Sequence, residues 1–252
     1  MTDESNVAAK SGFMRFLPLI LIGVAAIAAL RLGVTDYLSL DALRENYQAL
    51  TAFVEARFWV ALILYMAAYI TVAALSLPGA GILSITGGFL FGTFIGLGAV
   101  VVAATIGGTL IFLAARTAFG DFLRKKAQGF IKQMEQGFNN NAFSYLLLLR
   151  LIPIFPFFVV NIAPAFFGVS TRIFFLATLI GIIPGAFAFV SVGTGLGAIL
   201  EAGGDISLSG LLTKPEILTP IIALSVLALI PIIAKALGVK TPSSATEQGD
   251  NS

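Results

Sequence analysis

The chain has 252 residues, of which 58% are hydrophobic and only 11% charged, with 15 basic and 13 acidic side chains. Soluble domains carry about 25% charged residues, so this is an integral membrane protein; its few bases cluster at the ends of apolar runs, which argues against nucleic acid as a partner. Cysteine and histidine are both absent, which removes zinc fingers, thiol redox chemistry, disulfides and Ser-His-Asp catalysis.

Residues 1–12 are polar and are expected to be a disordered cytoplasmic tail. Lys10 and Arg15 precede the apolar run Phe16–Leu30, and Arg31 follows it. Those flanks favour an uncleaved anchor helix over 13–34 rather than a cleaved signal peptide. In Asp36–Ala56, Leu40, Leu43, Tyr47, Leu50, Phe53 and Val54 recur at helical spacing, opposite Asp41, Arg44, Glu45 and Gln48. With Ser39 as N-cap, this predicts an amphipathic helix that rests either on the membrane surface or on the protein's own body.

The remaining apolar segments are Phe58–Gly92, Thr93–Ala115, Ala142–Gly168, Ile173–Leu200 and Ile217–Leu237. Lengths near 20 residues without strand-like alternation predict helical spans. Phe119–Phe138 is amphipathic and basic, with Arg124, Lys125, Lys126 and Lys132, and marks the cytoplasmic side. Residues 239–252 are a second polar tail.

Charge decides the topology. Phe58–Gly92 is 35 residues long and broken at Leu77-Pro78-Gly79. Read as a full crossing, it strands the basic 116–132 segment outside. Read as a re-entrant hairpin, it leaves every basic cluster inside, both termini included. Ala142–Gly168, broken at Pro153 and Pro156, then becomes a second hairpin that enters from the cytoplasm. The expected fold is an all-α integral membrane protein with about four full transmembrane helices plus two opposed re-entrant hairpins. Each hairpin pairs a proline break with a Phe-Gly exit: Pro78-Gly79 with Gly88 to Gly92, and Pro153 with Gly168. Opposite insertion makes this an inverted repeat, an arrangement that places a site near the bilayer midplane. Most glycines, Gly107 and Gly108 among them, are assigned to helix packing.

Arg150 in RLIPIFPFFVVN raises the sharpest question. An arginine at bilayer depth costs ~2.5–3.5 kcal/mol on insertion scales, yet all 13 acids lie in tails, loops or span ends. Its candidate partners are backbone carbonyls, Asn161 or an anionic ligand; the alternative is that it snorkels to the interface. Asn161 is read as either a ligand contact or a backbone cap. Arg116 and Arg172 sit at span ends, where snorkelling accounts for them. Gly193-Thr194-Gly195-Leu196-Gly197 lacks the spacing and context of a dinucleotide loop. Asp205 lies in an outside loop, which argues against intramembrane aspartyl proteolysis.

LSLPGAGILSITGGFLFGTFIG, FLAAR and RLIPIFPFFVVNIAPAFFGVS resemble the VTT-domain family, also called the SNARE-associated Golgi protein family, within the DedA superfamily. The resemblance spans roughly 35–205, leaving 206–238 as a C-terminal transmembrane helix. Phe112 and Arg116 fit the family's aromatic-xxx-basic motif. The resemblance implies a bacterial or Golgi membrane protein with two opposed hairpins, associated with moving phospholipids or polyprenyl phosphates between leaflets. Two departures matter. The better-studied bacterial branch has an acid where this chain has Ala80, and a second arginine where it has Pro156. Proton coupling through hairpin carboxylates is therefore not expected, and the chain looks nearer the Golgi-protein-like branch.

The leading expectation is a plasma (inner) membrane lipid translocator, not an enzyme, with Arg150 and Asn161 meeting an anionic headgroup and no cofactor or metal. A small-solute or inorganic-anion transporter and a non-transporting membrane scaffold are the alternatives. Membrane lipids are the expected partners, and homo-oligomerisation is left open.

Overall fold

The computed structural model describes residues 15–34, 39–126, 142–151 and 156–201. Both tails, the 127–138 part of the basic segment, Pro153 and the 206–238 helix lie outside the described residues. Among those described, every regular element is a helix. The helices are α1 (Leu17–Arg31), α2 (Leu40–Glu45), α3 (Tyr47–Ala56), α4 (Phe58–Ala74), α5 (Ala80–Lys126), α6 (Ala142–Leu151), α7 (Phe157–Phe166), α8 (Thr171–Gly181) and α9 (Ile183–Glu201). Two stretches, Ala80–Ala118 and Thr171–Ile199, are long and apolar enough to cross a membrane; α1, α4, α6 and α7 are shorter and apolar.

The Leu77-Pro78-Gly79 break separates α4 from α5. The two helices return on one another: the Phe58 and Phe91 rings meet edge to face at 5.9 Å. Further along, the Tyr65 hydroxyl donates to the Leu83 carbonyl at 2.8 Å, and Tyr69 and Ser84 hydroxyls are 3.0 Å apart. Phe58 meets Phe91 at the open end, and Tyr65 and Tyr69 meet Leu83 and Ser84 nearer the turn, which defines an antiparallel helical hairpin.

α5 is itself two rods. Gly92 has φ 73° and ψ 179°, outside helical space, a left-handed value that glycine tolerates best. A Cβ on Gly96 would lie 2.5 Å from the Gly87 carbonyl oxygen, and one on Gly87 would lie 3.1 Å from Val100. In a straight helix residues 87 and 96 would be ~13.5 Å apart. The chain therefore folds back at Gly92, and the arms 80–91 and 93–126 lie side by side. Gly168, at the exit of the second proline-broken segment, has φ 68°. Ser170 then caps α8 by accepting the Ile173 N–H at 3.3 Å.

α6 and α7 also pair antiparallel: Arg150 meets Asn161, and Leu146 shares a buried cluster with Ala165. Each hairpin leans on the long helix that follows the other. Arm 80–91 crosses α9, where a Cβ on Gly88 would run into the Val190 carbonyl and one on Gly193 into that of Ile85. The Thr194 hydroxyl reaches the Gly88 and Val190 carbonyl oxygens, each at 3.2 Å, and Thr93 Oγ1 at 3.1 Å. α7 in turn lies on arm 93–126, with Asn161 Oδ1 3.0 Å from where a Gly108 Cβ would be. Neighbouring Gly107 faces the other way, against Ala73 and the Ile70 carbonyl of α4. The glycine pair is thus the place where both hairpins reach one helix. Gly107 serves helix packing as expected, whereas Gly108 opens onto Asn161.

The amphipathic segment rests on the protein's own body. Ser39 Oγ accepts the Ala42 N–H at 3.1 Å and starts α2. Leu43, Tyr47 and Leu50 pack with Ile85, Phe89 and Leu196, and Tyr47 meets Phe89 edge to face at 5.4 Å. Asp41, Glu45, Gln48 and Glu55 are exposed. α1 buries no residue fully, touching the core through Ala26 and Ala29 only in part.

Candidate functional site

Arg150 lies near the end of α6, where two features give it room. Its Cβ and Cγ pass 2.9 and 3.1 Å from where a Gly181 Cβ would stand, so any other residue at the end of α8 would displace the stem. Its guanidinium lies 5.3 Å from the centroid of the Phe174 ring. Phe174 is stacked on Phe112, with centroids 4.2 Å apart and planes 12° from parallel. Phe112, the aromatic of the FLAAR motif, thus supports Arg150 through Phe174; both rings are fully buried.

Nη2 of Arg150 donates to Asn161 Oδ1 at 2.7 Å and to Thr178 Oγ1 at 2.8 Å. A guanidinium only donates, so the Asn161 carbonyl must face it, and the amide nitrogen points elsewhere. That nitrogen and Arg150 Nε are buried without a hydrogen-bond partner among the described residues. Asn161 itself has no exposed surface. No carboxylate pairs with Arg150 among the described residues. Two unmet donors beside a cation without a counter-charge make a site suited to an acceptor that carries negative charge.

The other anticipated residues have distinct places. Pro156 precedes α7 as its N-cap, with φ −55° and ψ 141°, and its carbonyl accepts the Val159 N–H at 3.0 Å. Gly79, with φ 119°, follows Pro78 in the turn between α4 and α5, and its carbonyl accepts the Leu83 N–H at 2.9 Å. Gly88 is interior to a helical arm and admits α9 rather than forming a turn. Arg116 is exposed and donates through Nη1 to Thr171 at 3.0 Å, away from the Arg150 cluster. Thr178, Phe174 and Gly181 were not anticipated. Thr178 carried one faint signal, a hydroxyl in the apolar run FFLATLIG; nothing local marks Phe174 among the many phenylalanines.

The VTT-domain family model matches residues 77–195, a span that contains Phe112, Arg150, Asn161, Phe174 and Thr178. The uncharacterized protein YqeD of Bacillus subtilis is 41% identical over 99 residues, which is 38% of this chain and 48% of the relative. Transmembrane protein 41B of mouse is 28% identical over 176 residues, 68% of this chain and 58% of the relative, and the human protein matches to the same extent. The chain thus spans about half the length of these curated relatives. No solved structure gives a significant match. The family match begins at the turn after α4 and runs to near the end of α9, so residues 77–195 of this chain are a VTT domain.

Proposed function

We propose that this protein moves lipids between the leaflets of the plasma (inner) membrane, with an anionic headgroup passing the Arg150 site and the acyl chains staying in the bilayer. The observation that carries this reading is the Arg150–Asn161–Thr178 cluster, which has donors left over and no carboxylate partner among the described residues. The helices that build it also present apolar surface outward: Leu148 on α6, Phe158 on α7 and Leu176 on α8 are 48%, 49% and 50% exposed. An acyl chain can therefore lie beside the same elements that hold the headgroup, which favours a lipid over a free anion. The test is leaflet exchange of fluorescent phosphatidylglycerol and phosphatidylcholine in proteoliposomes. Exchange faster than in empty vesicles is expected for the anionic lipid. Background exchange together with uptake of a soluble anion would replace the lipid reading.

In this reading 58–92 and 142–168 are re-entrant hairpins, and the termini are cytoplasmic. Support comes from depth. α4 has 17 residues, ~25 Å of helix, against a hydrocarbon core of ~30 Å. Its end lies level with Gly107, while arm 93–126 continues well beyond that level. Trp59 and Phe94, 72% and 88% exposed at the base of the hairpin, suit an interfacial aromatic belt. The native chain has no cysteine, so single cysteines report cleanly. Trp59→Cys and Phe94→Cys are expected to react with a membrane-impermeant maleimide from outside, and Arg116→Cys from the cytoplasm. Pro78→Cys reacting from the cytoplasm as fast as Arg116→Cys would mean that the hairpin crosses fully.

A further inference from the structure

Three buried side-chain atoms among the described residues lack a hydrogen-bond partner: Arg150 Nε, Asn161 Nδ2 and Ser76 Oγ. Two belong to the site above. The third sits on the other hairpin, in the turn that ends α4. There the Leu77 N–H bonds the Val72 carbonyl at 3.0 Å and the Ser76 N–H bonds that of Ala73 at 3.1 Å. This is a Schellman cap, whose left-handed position is usually glycine. Ser76 occupies that position with φ 53°, the one non-glycine residue of positive φ among those described.

Glycine at 76 would relieve the backbone and would bury no unmet hydroxyl, since both features are unfavourable. A residue disfavoured on two independent counts, and needed for neither the turn nor the core, points to a role outside folding. Its surroundings indicate which. Asn161, the partner of Arg150, lies 3.0 Å from the Gly108 Cβ position, while Ala73, three residues before Ser76, lies against neighbouring Gly107. The Ser76 turn and the Arg150 site therefore flank the same glycine pair of α5.

We propose that Ser76 is a ligand-contacting residue: its hydroxyl donates to an oxygen of a phosphate-bearing ligand whose other oxygens meet Arg150 and Asn161. This inference rests on the anionic-ligand reading of Arg150 and adds the first hairpin to that site. The two hairpins then hold one group between them, and either can release it when they move apart.

The test uses the full chain purified in detergent, titrated with dihexanoyl phosphatidylglycerol and, separately, inorganic phosphate. Binding is read from the ligand-dependent rise in melting temperature. Ser76→Gly is expected to melt at or above wild type without ligand and to bind about ten-fold more weakly. Ser76→Asn, which tolerates the left-handed backbone and restores a donor, is expected to recover most of that affinity. An effect on the phosphatidylglycerol arm alone assigns the contact to a lipid headgroup, and an effect on both arms to the phosphate group itself. Unchanged affinity in Ser76→Gly, or a lower melting temperature without ligand, overturns the role of Ser76; if Arg150→Gln still weakens binding, the Arg150 site stands. Binding of neither probe by wild type, or binding indifferent to Arg150→Gln, removes both.

Discussion

Arg150→Gln is expected to slow lipid exchange at least ten-fold while leaving the protein folded, with a stability change under about 2 kcal/mol. The reason is a near-cancellation. Placing the arginine at depth costs ~2.5–3.5 kcal/mol on insertion scales. Its hydrogen bonds to Asn161 and Thr178 return about 1.5–3 kcal/mol each, as bonds to a charged group do. The contact with Phe174 adds about 0.5–2 kcal/mol. The net contribution to folding is a few kcal/mol at most, and glutamine can keep one bond to Asn161. What glutamine cannot supply is the positive charge, whose loss should cost the proposed passage of an anionic headgroup roughly ten- to a hundred-fold in rate.

Arg150→Lys should fail almost as badly. An ammonium keeps the charge but lacks the planar fork that bridges two acceptors and holds a donor in reserve. Exchange rates and melting temperatures of wild type, Gln and Lys proteins, measured on the same preparations, check this. A lysine protein that exchanges lipid at the wild-type rate would show that charge alone suffices and that the geometry around Asn161 is incidental.

Gly88→Ala is expected to cost about 3 kcal/mol of stability, and Gly88→Val to prevent accumulation of folded protein. The added Cβ would enter the space of the Val190 backbone carbonyl, which cannot rotate away as a side chain could. The helices must separate, and overpacking of this kind typically costs 1–3 kcal/mol, occasionally more. Gly193→Ala acts on the same crossing from α9, against the Ile85 carbonyl, and should match it. Without a strong hydrophobic drive between helices in lipid, close backbone approach at small residues is what joins them. Gly98→Ala is the control. Nothing lies within 4 Å of its Cβ position, so relief of glycine's backbone entropy should leave it neutral or stabilised by about 0.5–1 kcal/mol. Melting curves of the detergent-solubilised variants decide between these. Equal stability of Gly88→Ala and Gly98→Ala would mean that the crossing yields without loss.

Membrane character and helical class could be read from the residues because hydropathy is a sum over local composition. The breaks at Leu77-Pro78-Gly79 and Pro156 were legible for a similar reason, since proline and glycine act on their own backbone. That no acid lies in the apolar run around Arg150 could be counted along the chain. What surrounds Arg150 was not countable. Asn161 is 11 residues away, one α-helical hairpin distant, and was anticipated; Thr178 is 28 residues away and was not. The FLAAR aromatic appeared only as half of a motif with Arg116. In three dimensions Phe112 and Arg116 part company: one is buried under Phe174, and the other is an exposed donor to Thr171.

The amphipathic segment shows where local information ends. Its spacing predicts a helix with one apolar face, but that face fits a lipid surface or a protein groove equally well. Only the cluster of Leu43 with Ile85, Phe89 and Leu196 decides between them, because those residues come from helices far apart in the chain. The same holds at the crossing of Gly88 and Thr194, 106 residues apart. The sequence by itself determined what each segment is and where it breaks, through local chemistry. Tertiary structure alone decided which segments touch, because the contacts that define the site are set by how helices cross.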